Sequence, residues 1–253
     1  MKTQMTAIAA AVVMAASFSA NARDFQNSTT TGDANTGANP AFENQQDIRQ
    51  SMDGFDRDAM RTSLIYQIGN SNSAETDQLG DAQYSRVVQE GNDNSSYVYQ
   101  SGNEHESIVY QFGNENDSTV YQDGGNRNDS YVFQDGNNNS STVAQFLNTS
   151  QSDSVVEQLG DGNDADVYQA YNTDETWSFI HQDGNGNDAT VVQIAADLSA
   201  SYIYQGGDGH MADVYQTGNS NISTIRQNVT YGGAAAATHF QAGNGNSAIS
   251  TQW

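Results

Sequence analysis

From residue 61 to residue 253, small, β-branched and glutamine residues alternate with other residues in a series of short segments. A serine stands four residues before the first glutamine of each of eight repeating units, and valine or isoleucine stands two residues before it. Side chains two residues apart share one face of a β-strand, whereas the period of a helix would separate them. The pattern therefore predicts strands with one uniform face, whose serines are Ser63, Ser85, Ser107, Ser130, Ser154, Ser178, Ser201 and Ser223.

Glutamine marks the period of these segments. Eleven of the sixteen intervals between successive glutamines are 11 residues long, and up to residue 216 every longer interval falls between pairs of segments. This spacing predicts a unit of 22–24 residues with one turn of fixed length and one turn that tolerates insertions. The glutamines of the predicted core ladder are Gln67, Gln78, Gln89, Gln100, Gln111, Gln122, Gln134, Gln145, Gln158, Gln169, Gln182, Gln193, Gln205, Gln216, Gln227, Gln241 and Gln252.

Glycine and asparagine follow the first glutamine of most units, as in QIGNSN at residue 67 and QDGNGN at residue 182. Both residue types tolerate a positive φ angle, which tight chain reversal requires. The predicted turn residues are Gly69, Asn72, Gly91, Asn94, Gly113, Asn116, Gly136, Asn139, Gly160, Asn163, Gly184, Asn187, Gly243 and Asn246.

These features together predict an all-β fold, a β-solenoid or cross-β stack of about eight strand-turn-strand units over residues 61–253. Strands stacked about 4.8 Å apart would form a column roughly 40 Å tall. Glutamine amides stacked on identical neighbours can satisfy both their donors and their acceptors along the column. Such a core needs few large side chains.

The amino-terminal part of the chain lacks the repeat. Residues 1–22 combine a charged start, a short apolar run and the small-residue sequence Ala20-Asn21-Ala22, which is typical of a cleaved secretory signal peptide. Residues 23–60 are acidic and show no alternation, so we expect a disordered leader, although Phe42, Ile48 and Phe55 leave open a short docking element.

Composition agrees with a thin core and excludes several kinds of partner. Leu, Ile, Val and Phe make up 41 of 253 residues, a fraction that would indicate disorder in an aperiodic chain. Removal of the signal peptide leaves seven arginines against 31 acidic residues, a net charge of −24. Nucleic acids and anionic membranes require clustered Lys and Arg, so neither is an expected partner, and no membrane span is predicted.

The residues on the opposite face of each strand differ between the two halves of a unit. The second strands carry several acidic residues, such as Glu75, Asp77 and Asp166. The first strands carry apolar and aromatic residues, which predicts either an exposed interaction surface or ordinary solvated β-strands. Examples are Leu64, Tyr66, Ile108, Tyr110, Tyr131, Phe133, Tyr202 and Tyr204.

Catalytic and cofactor motifs are missing from the sequence. None of the common nucleophile, zinc or nucleotide signatures occurs, and the four histidines lack metal-ligand spacing, so we expect neither an enzyme nor a cofactor. The run from Gly160 to Asp164 is similar to the calcium-binding turn of a β-roll, but that repeat has nine residues rather than eleven. The acidic turn residues are better interpreted as charge repulsion that keeps subunits soluble during export.

The pattern Q-x-G-x-x-N-x-A-x-x-x-Q resembles the repeat of the curlin family of bacterial amyloid subunits. Gln67, Gly69, Asn72, Ala74 and Gln78 fit it in full, as do the units that start at residues 158, 182 and 241. The units at residues 89, 111 and 134 have serine in place of alanine. The chain departs from the family in its number of units and in the 14-residue interval between Gln227 and Gln241, which leaves an odd seventeenth strand.

The resemblance implies a secreted subunit that polymerises with itself into extracellular fibres on the cell surface, which support biofilm and adhesion. It also implies export through an outer-membrane pore and seeding by a nucleator subunit. Two alternatives remain open at this point: the chain is itself the minor nucleator, or it is a monomeric β-solenoid adhesin.

Overall fold

The computed structural model describes residues 61–228 and 233–253. These residues form seventeen strands, numbered in chain order, in two parallel sheets. The nine-stranded sheet contains β1 (Thr62–Asn70), β3 (Tyr84–Asn92), β5 (Glu106–Asn114), β7 (Asp129–Asn137), β9 (Asp153–Leu159), β11 (Trp177–Asp183), β13 (Ala200–Gly206), β15 (Ile222–Asn228) and β17 (Ser247–Gln252). The eight-stranded sheet contains β2 (Ser73–Asp81), β4 (Ser95–Asn103), β6 (Asp117–Asn126), β8 (Ser140–Phe146), β10 (Asp164–Ala170), β12 (Asp188–Ile194), β14 (Met211–Thr217) and β16 (Ala236–Ala242).

Successive strands alternate between the two sheets, so the chain winds as a coil, and each strand pairs with the strand one unit further along. Every pairing is parallel and places equivalent residues opposite each other, as with Gln67 on Gln89 and Gln78 on Gln100. In β6 the extra glycine shifts the register by one residue after Ser101, without disturbing the glutamine column. The prediction of an all-β solenoid of about eight turns is confirmed.

The core between the sheets is one continuous column of β-branched residues. Val87, Val109 and Val132 from one sheet meet Val98 and Val120 from the other, and all five are fully buried. Burying each such side chain contributes roughly 1.5–3 kcal/mol relative to leaving it in water. The serines and alanines two residues earlier in each strand are small, which lets the two sheets approach closely.

The seventeenth strand extends the coil without breaking it. The long interval from Gln227 to Gln241 joins β15 to β16, and β17 then pairs with β15 in the nine-stranded sheet. The turn that has a fixed length in the earlier units therefore accepts three extra residues here. Residues 229–232 of this connection lie outside the described residues.

The outer face of the nine-stranded sheet is buried over most of its height. Ile108, Tyr131, Phe179 and Tyr202 point away from the core and yet are no more than 3% exposed. The expectation of an exposed apolar patch is therefore wrong for this part of the sheet. Exposed apolar side chains remain at its first strand, where Leu64 and Tyr66 are 43% and 51% exposed.

The predicted signal peptide and leader lie outside the described residues. Across the two described ranges, no helix has the length and apolar character needed to cross a membrane.

Candidate functional site

Two ladders of glutamine side chains run along the coil, one in each sheet. In the middle of the stack, Gln111 Nε2 donates to Gln134 Oε1 at 2.9 Å and also to the backbone carbonyl of Ser95 at 2.8 Å. Gln111 is fully buried, and an unpaired amide there would cost about 1–3 kcal/mol. Gln111 therefore links its own sheet to the next unit and also to the opposite sheet, as do the other ladder glutamines from Gln78 to Gln227.

The ladders include every glutamine of the predicted series. In the nine-stranded sheet the order is Gln67, Gln89, Gln111, Gln134, Gln158, Gln182, Gln205, Gln227 and Gln252. In the eight-stranded sheet it is Gln78, Gln100, Gln122, Gln145, Gln169, Gln193, Gln216 and Gln241. All these bonds have the same direction, because Nε2 always donates toward the carboxyl-terminal end.

Asparagines stack in the same way at the first turn of each unit. Asn94 Oδ1 accepts from the backbone N–H of Asn116 at 3.0 Å, while Asn94 Nδ2 donates to the carbonyl of Gly113 at 2.9 Å. The same column runs through Asn72, Asn94, Asn116, Asn139, Asn163 and Asn187 to His210, whose Nδ1 accepts in turn from the N–H of Ala235. Asn246 belongs to the other turn column, where its N–H donates to Asn221 Oδ1.

Glycine is required in the first turns by close approach as well as by conformation. A Cβ added to Gly91 would lie 1.7 Å from the carbonyl oxygen of Gly113, and Gly91 has a φ of 133°. Gly69, Gly113, Gly136, Gly160 and Gly184 repeat this arrangement. At Gly243 an added Cβ would meet only the Asn246 amide at 3.8 Å, because the described residues place no further turn beside it.

A second column of turn side chains was not predicted from the sequence. His105 Nδ1 accepts from the N–H of Asn128, whose Oδ1 accepts from the N–H of Ser152. Thr176 donates to Ser152 at 2.8 Å, and Ser199 accepts from the N–H of Asn221. These residues differ in type, so only their place five to seven residues after the second glutamine of each unit marks them.

The serines of the inner face stack in register but do not form a hydrogen-bonded ladder. The hydroxyls of Ser107, Ser130, Ser154, Ser178 and Ser201 are buried and have no hydrogen-bond partner. At the two ends the pattern differs, because Ser63 lies in the exposed first strand and Ser85 contacts Thr76 at 3.5 Å. Ser223 Oγ lies 2.7 Å from His239 Nδ1. Alanine takes the equivalent position in several strands, so serine acts here as a small residue.

His105 and His210 lie in turns and His239 lies in the core, whereas His181 lies on the outer face of β11 with Nδ1 3.1 Å from Glu157 Oε2. Burial lowers the pKa of His105 from 6.5 to about 4, so this side chain is neutral at physiological pH. His239 lies between Ser223 and Ser250, with each hydroxyl 2.7 Å from a ring nitrogen. Within residues 61–228 and 233–253 no three acidic or histidine side chains converge in a way that could hold a metal ion.

The two ends of the stack carry complementary hydrogen-bonding groups. Within the described residues, no donor reaches the Oε1 atoms of Gln67 and Gln78 at the amino-terminal end. At the carboxyl-terminal end, Gln241 and Gln252 donate to the carbonyls of Ile222 and Ala236 but to no further glutamine. One end therefore offers two acceptors, and the other end offers two donors.

The end strands are also exposed in a way that the inner strands are not. Ile65 of β1 is 45% exposed, whereas the equivalent valines of β3, β5 and β7 are fully buried. Phe240 of β16 and Ile249 of β17 are 74% and 62% exposed. An open strand edge presents a row of unpaired N–H and C=O groups that can pair with another chain. The surfaces best suited to pair with another chain are thus the two end rungs of the stack, β1 with β2 and β16 with β17.

Comparison with known proteins agrees with this geometry. The family model of the curlin associated repeat matches residues 69–102 and 97–124. Residues 69–124 of the coil are therefore similar to this repeat. No curated protein has significant similarity to the chain.

Proposed function

We propose that the mature chain is a secreted structural subunit that self-assembles into extracellular, curli-like amyloid fibres for biofilm matrix and adhesion. The observation that carries this proposal is the complementarity of the two end rungs. A contact between different ends of identical molecules is heterologous, and such contacts generate open filaments unless the rotation closes a ring. Because the first and last strands lie at opposite ends of the strand order in both sheets, stacking of such copies gives a filament.

The inner residues of the end strands favour this kind of contact. Ser63, Ile65 and Gln67 at the amino-terminal end repeat the small, β-branched and glutamine positions that stack inside the molecule. A second copy placed on this end extends both glutamine ladders and covers Ile65. In a monomeric adhesin the ends would be capped, and no cap is present on either end rung among the described residues.

Export and initiation follow from the signal-peptide prediction and from the curlin similarity. We propose secretion across the outer membrane through a dedicated pore, and seeding of the homopolymer by a nucleator subunit. The role is structural rather than catalytic. The high negative charge opposes association during export, because like-charged subunits repel one another.

The first test measures fibre growth of the purified mature chain by thioflavin fluorescence. The chain alone is expected to form thioflavin-positive fibres, and fragments of those fibres are expected to seed fresh monomer. The variant with Gln241→Glu and Gln252→Glu keeps the acceptors for Gln216 and Gln227 but loses the donors for the next copy. We expect its elongation rate to fall at least tenfold, which corresponds to about 1.4 kcal/mol.

The control combines Phe240→Glu with Thr251→Glu, which adds the same two negative charges on the outward faces of the last two strands. It should slow elongation by less than threefold if the donors matter more than the charge. A mature chain that stays monomeric under all conditions would contradict the fibre proposal and favour the adhesin. A chain that grows no fibres of its own but seeds another subunit at substoichiometric amounts would favour the nucleator.

A further inference from the structure

The two sheets contain unequal numbers of strands, nine against eight. The nine-stranded sheet therefore extends one strand further than the other: it ends with β17, and the eight-stranded sheet ends with β16. This matters for the next molecule of a fibre, because one position beside β17 is vacant in the eight-stranded sheet.

A next copy in the same orientation would leave that position empty. Its β1 would pair with β17, and its β2 would then lie two strand spacings, about 9.6 Å, beyond β16 instead of about 4.8 Å. The backbone groups of β16 would have no partner across this gap, and a missing strand in the core costs several buried hydrogen bonds.

We propose that successive subunits are related by a half turn about the fibre axis, an inference that rests on the proposed fibre. With this rotation the β1 strand of the next copy occupies the vacant position and pairs with β16, and its β2 pairs with β17. The coil then continues without a gap from one molecule into the next.

The inner faces of the strands permit this exchange of sheets. Both sheets present the same inward sequence of a small residue, a β-branched residue and glutamine, so a strand of one type fits on a strand of the other. At the junction Gln67 would accept from Gln241, and Gln78 from Gln252. The hydroxyl of Thr76 would lie above that of Ser250, so a polar residue meets a polar residue.

Engineered disulfides distinguish the two arrangements, because the chain contains no cysteine of its own. The rotated arrangement places Tyr66 beside Phe240 of the preceding copy, whereas the unrotated one places it beside Thr251. These positions lie at opposite ends of one molecule, so any cross-link joins two molecules. Neighbouring parallel strands bring Cα atoms within the range of about 4.4–6.8 Å that a disulfide spans.

The experiment compares Tyr66→Cys with Phe240→Cys against Tyr66→Cys with Thr251→Cys, each oxidised within preformed fibres. We expect the first pair to give covalent oligomers at least tenfold more efficiently than the second. Preferred or equal cross-linking of the second pair overturns the half turn and leaves the fibre proposal standing. Failure of both variants and of the unmodified chain to form thioflavin-positive fibres overturns both proposals.

Discussion

The two sheets of this solenoid have the same inner face and different outer faces. Inside, Val109 of one sheet and Val120 of the other are equally buried, and Gln111 and Gln122 make the same kinds of hydrogen bond. Outside, Tyr131 of the nine-stranded sheet is 3% exposed, whereas Tyr99 of the eight-stranded sheet is partly exposed. The repeat therefore fixes the core of both sheets, and the outer residues decide what each sheet can contact.

This difference assigns fibre growth to the inner residues of the two sheets and lateral contacts to their outer faces. The inner residues continue unchanged to both ends of the coil, so that a second copy can extend the stack. The outer faces lie parallel to the axis and take no part in that contact. We expect substitutions on the inner face to have equal effects in both sheets, and substitutions on the outer faces to have unequal effects.

The largest expected effect comes from the glutamine ladders. Gln111→Leu removes the donor to Gln134 Oε1 and to the Ser95 carbonyl. Gln122→Leu removes the donor to Gln145 Oε1 and to the carbonyls of Glu106 and Asn128. We expect each variant to lower the free energy of unfolding by about 3–5 kcal/mol, since each unsatisfied buried group costs about 1–3 kcal/mol. Urea denaturation measures both losses. A difference of more than about 2 kcal/mol between them would contradict the equivalence of the two inner faces.

The next effect concerns the outer faces. Tyr131→Ala should cost about 3–5 kcal/mol, the usual loss for a buried aromatic side chain. Tyr99→Ala should cost about 1 kcal/mol, because Tyr99 is partly exposed and stacks on Tyr121, with ring centroids 4.7 Å apart. The same urea titration compares them. Equal losses of stability for Tyr131→Ala and Tyr99→Ala would remove the distinction between the two outer faces.

A smaller effect depends on pH and belongs to the eight-stranded sheet. Burial raises the pKa of Asp188, and the charges of Asp164 and Asp213 raise it further. The charged form is therefore disfavoured in the fold, and this penalty is relieved as the pH falls through the raised pKa. We expect fibre elongation to speed up about threefold between pH 7 and pH 5 as carboxylate repulsion weakens. Asp188→Asn should reduce that acceleration. An equal acceleration in this variant would contradict the role of the Asp188 carboxyl.

Protonation of His105 sets the lower pH limit of this faster elongation. Its pKa is lowered by burial to about 4, so the unfolded chain binds a proton more readily between pH 6.5 and pH 4. The stability that the neutral ring contributes is complete above pH 6.5 and is lost as the pH falls through 4. His105→Asn places at this turn the residue type that the next unit has at Asn128. This variant should stay folded to a lower pH than the unmodified chain.

The sequence predicts the inner half of the molecule well because that half is periodic. The residues four, two and zero positions before each ladder glutamine share one strand face, and that face can bury only itself. Strand number, parallel stacking and the coil follow from it, and the structure confirms them. The long connection before β16 shows the limit, since a turn of fixed length in seven units is longer in the eighth.

The outer half and the second turns could not be predicted in the same way. His105, Ser152 and Thr176 occupy one column although their side chains differ, because each needs only one polar atom at the right height. The burial of Tyr131 and Phe179 concerns the outward side of their strands, about which the inner-face repeat carries no information. Composition alone cannot distinguish an aromatic side chain in solvent from one that is covered.

Mass per length of single fibres tests end-to-end stacking most directly. Seventeen strands in two sheets correspond to eight and a half rungs, so each folded subunit should add about 41 Å of fibre at about 4.8 Å per rung. Scanning transmission electron microscopy of unbundled fibres should therefore find one chain per 41 Å or so. One chain per about 4.8 Å would mean that each chain adds a single flat layer, and would contradict head-to-tail stacking of solenoids.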